Sequence, residues 1–288
     1  MREYLFQIGL KGLRPMNVSP INSGYLDLAL NVLPLEGTLE AITGSDLVGP
    51  LSNYSWPFPQ VTRLDGEIYL LGHNSVSLLN SDYSISTILS DIPSKGYPWA
   101  VAELGKGAIL SNFYSIVTKE GKNFTVNSDD NKPVARALCN YKGQILAGNV
   151  YAYGEYRPSY VMWAKVGSLD FNLDSPSAGY IYLEDIGEIL AMHSLINAVV
   201  VFGTLGVTML VPATAPAMFG SQSLGSLPGI AGQLAYSGTP AVCYYLGVDG
   251  NVWEVGLGKS KVVAYIGKAT NSACLYLDLP REVLRIGF

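Results

Sequence analysis

An all-β fold of repeated hairpins, a β-propeller of five or six blades, is what this sequence predicts. Three observations carry that expectation. Apolar runs of strand length recur along the chain, each follows a turn built from Gly, Asp or Asn, and no stretch shows the Ala, Glu, Lys and Leu patterning of a helix.

The runs begin at Ile68, Ala108, Gln144, Val199 and Cys243. Each leads through a short polar segment into a second apolar run: Ile68–Leu71 into Val76–Leu79, Ala108–Leu110 into Ile116–Thr118, Val199–Phe202 into Val207–Val211, and Cys243–Leu246 into Val252–Val255. The third copy, opening at Gln144, ends less cleanly around Tyr151 to Tyr156. The spacing stays near the roughly 40–50 residues that a four-stranded blade needs. The longest step, from Gln144 to Val199, predicts an insertion or an extra hairpin. The runs at Ile68 and its equivalents read as the first strands of their copies.

The turns ahead of these runs are Asp65-Gly66, Gly105–Gly107, Tyr141–Gly143, Asn197 and Gly238–Pro240. Such residues suit hairpin turns, where the backbone takes positive φ. Ser84–Leu89 alternates as an outer strand would. Tyr4–Ile8 and Glu282–Ile286 read as terminal strands whose pairing closes the ring and removes a free sheet edge.

The whole chain, 1–288, therefore reads as one propeller domain with a short N-terminal lead (1–35) and a long loop (212–240). That loop is rich in Ala, Gly, Ser and Pro yet holds Met218, Phe219, Leu224 and Leu227. Long apolar loops commonly dock onto something, so these four residues are the expected partner interface.

Composition narrows the function. Charged residues make up only 14% of the 288, against roughly 25% in an average soluble domain, which fits extensive contact with partners. Lys and Arg number 18 against 23 Asp and Glu, with no basic run, so sequence-specific nucleic-acid binding is not expected. The 19 tyrosines and 31 glycines suit pleated faces and turns. Cys139, Cys243 and Cys274 form no CxxC pair and read as small buried hydrophobes in a reducing compartment. The opening Met1–Gln7 lacks the apolar core of a leader, and the apolar runs are far too short for a membrane helix, so synthesis in a cytoplasm without a transmembrane segment is expected.

Motifs for chemistry are missing. The two histidines, His73 at a hairpin tip and His193 in a strand, sit in no HxH or HxxxH pattern. Gly220–Ser223 and Gly225–Leu227 do not make a GxSxG elbow. Gly256–Ser260 lacks the spacing and following helix of a phosphate loop. Asn127–Asn131 is rich in oxygen ligands but lacks the later bidentate acid of a calcium loop. Glu184 and Asp185 are adjacent, and on a strand they face opposite sides. No catalytic residue, metal or cofactor is assigned, and the chain is not expected to be an enzyme.

Several segments carry a likeness. Gly12–Pro15, Leu28–Val32 and Glu36–Leu39 near the start, Val161–Gly167 with Phe171, Ala178–Leu183 and Val199–Leu210 in the middle, and Tyr244–Glu254 towards the end resemble the propeller-bearing tail proteins of tailed bacteriophages, of nozzle or hub type. Trp163-Ala164-Lys165 departs from the Trp-Ser more usual in that family. The resemblance implies a structural component of the virion tail, with no reaction. Copies would form a homo-oligomeric ring around or along the DNA channel and contact other tail, portal or adaptor proteins, the mild negative charge letting DNA slide. An alternative is a host-receptor or glycan-binding propeller at the tail tip, with Tyr151, Tyr153, Tyr156 and Tyr160 as its binding aromatics.

Overall fold

A computed structural model describes residues 60–127, 132–213, 218–256 and 259–265, together with the backbone of six short strands outside them. The described residues hold no helix. Twenty of the strands form five four-stranded antiparallel sheets, each in simple sequence order. The chain is a β-propeller, with five such blades among the described residues.

The first blade comprises Gln60–Leu64, Glu67–Leu71, Val76–Leu79 and Ile85–Leu89. The second has Ala100–Leu104, Gly107–Ser111, Ile116–Glu120 and Asn123–Asn127. The third has Val134–Tyr141, Gln144–Ala152, Glu155–Trp163 and Gly179–Tyr182. The fourth has Ile189–Ser194, Val199–Gly203, Val207–Pro212 and Phe219–Ser223. The fifth has Tyr236–Gly238, Val242–Leu246, Asn251–Gly256 and Lys259–Tyr265.

The recurrent apolar runs are thus the second strands of the blades, and a less apolar strand precedes each one nearer the axis. The reason is burial on both faces. A second strand lies between neighbouring blades, so both of its side-chain rows are covered, as in Val199–Gly203, where all five residues are buried. Outer strands show the opposite pattern, and Lys259–Tyr265 is exposed throughout. The turns are as expected. Asp65-Gly66 and Lys142-Gly143 take positive φ at both central positions, the geometry of a two-residue hairpin whose twist matches its strands.

The apolar core is divided among blade interfaces. Four clusters lie between successive blades: Leu71, Trp99 and Leu110 between the first two, Ile109, Ile145 and Phe171 in the next interface, Leu146, Trp163 and Phe219 in the third, and Phe202, Ile230 and Tyr245 in the fourth. Side-chain amides tie the inner strands together. Gln60 Nε2 donates to the Trp99 carbonyl at 2.8 Å while the Trp99 N–H donates back to Gln60 Oε1 at 3.0 Å.

One expectation is revised, the long third step resolves to an insertion, and the pairing of the terminal strands falls partly outside the described residues. Segment 212–240 carries the outer strand of the fourth blade and the inner strand of the fifth; Phe219 lies in the former, and Met218, Leu224 and Leu227 lie outside both strands. The long third step is absorbed by strands of eight and nine residues and a turn-rich connection over 164–178, with no extra hairpin. Val283–Gly287 pairs with Cys274–Asp278 in a hairpin, and Cys274–Asp278 lies alongside the fifth blade's inner strand; Tyr4–Ile8 is outside the described residues. Within the lead, Gly12–Leu13 pairs in parallel with Tyr25–Leu26, and Val32–Leu35 pairs with Thr38–Ala41.

Phe202 packs its ring against Tyr236 at 5.5 Å and Tyr245 at 5.1 Å. Phe202→Ala is expected to cost about 3–5 kcal/mol in urea unfolding, whereas Val262→Ala on an exposed outer strand should stay within about 0.5 kcal/mol. Equal effects would contradict an inter-blade core.

Candidate functional site

The third blade differs from the others in length and in what it exposes. Its hairpin turns at Tyr153-Gly154, both at positive φ (53° and 76°). Tyr151 and Tyr156 face each other across the two strands, and both are exposed. Tyr153, at the turn, donates its hydroxyl to the Phe171 carbonyl at 3.2 Å and so anchors the 164–178 connection.

Further along the same strand, Tyr160 pairs with Tyr182 of the outer strand, and Met162 pairs with Tyr180. The Tyr160 ring stands 5.2 Å from Tyr182 and 5.8 Å from Tyr180. The Arg157 guanidinium lies 5.4 Å from the Tyr160 centroid and 5.8 Å from that of Tyr180. Glu155 holds it there through an ion pair of 2.7 Å. That bond, the largest influence, raises the Arg157 pKa above its ordinary value. Each cation–π contact at such an exposed site is worth about 0.5–1 kcal/mol. Together with Tyr156, Pro158 and Ser159, these residues line an open groove of about 420 Å³.

Of the four tyrosines singled out from the sequence, Tyr160 is in the groove's aromatic cluster. Tyr156 borders the groove and also approaches Phe113 of the second blade, with ring centroids 6.2 Å apart. Burial, then the charge of Glu188, raises the Tyr156 hydroxyl pKa. Tyr151 and Tyr153 occupy the hairpin outside the groove. Tyr180, Tyr182 and Arg157 escaped the sequence reading. Their signal was Tyr180-x-Tyr182, a spacing that puts two rings on one face of a strand.

The apolar residues of 212–240 point elsewhere. Phe219 and Leu227 are buried, and Met218 and Leu224 pack against the same inter-blade clusters. Phe219 meets Trp163 at 5.1 Å and Tyr141 at 5.9 Å. Their apolar character is accounted for by the protein's own core.

A wider hollow of about 980 Å³ opens between the third, fourth and fifth blades, lined in part by Glu184, Asp185, Leu205, Asp249 and Trp253. Glu184 and Asp185 lie in the connection after Tyr182, not on a strand, and Asp185 takes positive φ. Asp249 accepts from the Asn251 side chain at 2.6 Å and from Trp253 Nε1 at 3.2 Å. Among the described residues, no group of three or more His, Cys, Asp and Glu is placed to hold a metal. His73 occupies the tip between the first blade's second and third strands. Cys139 and Cys243 are buried free thiols, and burial pushes Cys139 up to about 12. The chemistry on offer at the third blade is stacking and hydrogen bonding, supplied by four tyrosines and an oriented guanidinium.

No family model matches the chain, and no curated protein matches it. Among solved structures, the chain is similar to a catalytically inactive virginiamycin B lyase from Staphylococcus aureus with quinupristin, at 12% identity and a TM-score of 0.51, covering 79% of this chain and 77% of that one. It is also similar to PorZ, a surface component of the type-IX secretion system of Porphyromonas gingivalis, at 10% identity and a TM-score of 0.47; the match covers 81% of this chain and 31% of PorZ. The likeness to the lyase is one of fold.

His193 is half-buried on the fourth blade's inner strand with Nε2 3.0 Å from the Thr239 carbonyl. Desolvation is the leading cause that lowers its pKa below the ordinary 6.5. The folded state thus binds the proton less readily than the unfolded chain. The stability that depends on neutral His193 is complete above about pH 6.5 and is lost as pH falls towards the folded value. The urea midpoint should drop from pH 7 to pH 5.5 in the native chain, and the drop should shrink in His193→Gln.

Proposed function

We propose that this chain is a non-catalytic propeller that works by protein–protein contact through the outer part of its third blade, as a structural component of a bacteriophage tail. The observation that carries the contact surface is the exposed cluster of Tyr160, Tyr180, Tyr182 and Arg157. Tyr and Arg are the residues that most often dominate binding energy at interfaces, because they bring large contact area with few rotatable bonds and a fixed fork of donors. Here both outer rings are about half exposed, Tyr180 at 51% and Tyr182 at 53%. The chain as a whole is poor in charge, at 14% of residues, and interface centres are depleted in charge.

The tail assignment rests on the sequence resemblance and on this surface. In that setting the partners are other tail, portal or adaptor proteins, and several copies assemble into a ring. The cavity at the propeller's own axis is only about 120 Å³, too small to admit a duplex. A DNA channel would therefore be enclosed by the ring of copies, outside the individual propeller. No cofactor is involved in this reading.

One observation favours a second reading. A tyrosine-lined groove beside an arginine suits sugar rings, which stack on aromatic faces while hydroxyls bond to charged groups. A host-receptor or glycan-binding propeller would use the groove in that way.

Tyr180→Ser combined with Tyr182→Ser should leave the chain folded at a cost of about 1–3 kcal/mol, the loss of two ring contacts with Tyr160 and one cation–π contact with Arg157. The double variant should weaken assembly with purified tail and portal proteins by about thirtyfold or more, as loss of a hot spot of about 2 kcal/mol implies. Mass photometry with negative-stain imaging reads the assembly. Intact assembly with lost binding to host envelope sugars transfers the groove to the glycan reading. No change in either removes the groove from both.

A further inference from the structure

The inner strand of the third blade carries a second feature that the tyrosine groove does not use. Ala135 pairs with Val150 and Ala137 with Gly148, so the ladder skips Arg136 and Asn149. Asn149 takes positive φ, 54°, and its Nδ2 donates to the Ile189 carbonyl at 3.0 Å. The register shifts on the other side of Asn149, between Gly148 and Val150 in the pairing with Glu155–Trp163, and bulges are over-represented beside functional sites.

Arg136 stands opposite Asn149 on the neighbouring strand. Its guanidinium lies 4.7 Å from the Tyr97 ring centroid and 5.5 Å from that of Phe113. Those two rings meet edge-on at 5.2 Å. Its Nε is buried and has no hydrogen-bond partner. The ion pairs among the described residues join Arg157 to Glu155 and Lys261 to Glu254, and none reaches Arg136. A half-buried guanidinium held by aromatic rings, with a donor unspent and no carboxylate beside it, is prepared for an anion from outside the chain.

Gln233 supplies the complementary group. It comes from the connection between the fourth and fifth blades and reaches across the axis. Its Nε2 donates to the Pro98 carbonyl at 3.1 Å and the Arg136 carbonyl at 2.9 Å. Both partners are acceptors, so the amide orientation follows from the bonds themselves. Oε1 is then left buried with no partner, on a residue only 7% exposed. Arg136, Gln233, Gln60 and Trp99 line the same axial cavity of about 120 Å³. That is room for a ligand head of a few heavy atoms, since a water takes about 30 Å³ in the liquid.

We propose that Arg136 and Gln233 form a binding site at the propeller axis for a carboxylate flanked by a hydroxyl. The guanidinium takes the carboxylate, and the hydroxyl donates to Gln233 Oε1. A free hydroxy acid and the acidic sugar at the end of a glycan both present this chemistry. The site is separate from the Tyr180 and Tyr182 groove, so it stands whether or not that groove is an interface.

The test is calorimetric titration of the full chain with lactate, acetate and a glucuronate-terminated disaccharide. Saturable binding of lactate or of the disaccharide at least tenfold tighter than acetate supports the site, and the tighter of the two identifies the source. Arg136→Lys keeps the charge but loses the planar fork, and should weaken binding at least tenfold. Gln233→Met should erase the preference over acetate. Tyr180→Ser with Tyr182→Ser should leave binding unchanged. Acetate binding as tightly as lactate would mean an adventitious ion only and would overturn the proposal, as would the absence of saturable heat. If Arg136→Lys fails to fold, the comparison of lactate with acetate on the native chain decides alone.

Discussion

Burial of a blade's second strand against the neighbouring blades, complete in Val199–Gly203, is the constraint on which the rest of this structure depends. A single four-stranded sheet of this chain has two apolar faces and cannot cover either one alone. Packing against the next blade covers both, and the requirement passes around the axis from blade to blade. It explains why Val199–Gly203 is buried throughout while Lys259–Tyr265 is exposed throughout. It also explains why the core is a series of four clusters between successive blades.

That architecture separates stability from recognition. Inner and second strands carry the packing and the cross-blade hydrogen bonds, such as the reciprocal pair between Gln60 and Trp99. Outer strands and turns are released from the core and can vary without loss of the fold. The third blade uses this freedom. Its long strands project a hairpin, and its outer edge presents Tyr180 and Tyr182 beside Tyr160, with Arg157 held in place by Glu155. The axis works differently. There the inner strands converge, so a side chain such as Gln233 reaches the backbone at Pro98 and at Arg136 at once, and its amide oxygen is left buried without a partner.

The repeat was legible because its two signals are local. A strand covered on both faces must be apolar at successive positions, and a two-residue hairpin must use residues that tolerate positive φ, as Asp65-Gly66 and Lys142-Gly143 do. The order of strands within a blade was less legible. The inner strands are short or mixed in character, as in Tyr236–Gly238, and so looked like connections. For the same reason Met218, Phe219, Leu224 and Leu227 looked like a sticky loop. Gly, Ser and Pro around them hid the fact that the fourth blade's outer strand and the following turn fold them back against Trp163 and Ile230.

By itself, the sequence determined the all-β class, the hairpin repeat, the turn positions and the tyrosine-rich character of the third blade, because each depends on residues close together along the chain. Only the tertiary structure decided which aromatics meet. Tyr160 reaches Tyr180 and Tyr182 through a strand pairing that spans the 164–178 connection. Arg136 meets Tyr97 from the connection between the first two blades, Phe113 from a turn of the second and Gln233 from the connection between the fourth and fifth. Contacts of that kind depend on how blades pack around a centre, a long-range property that no local pattern of residues encodes.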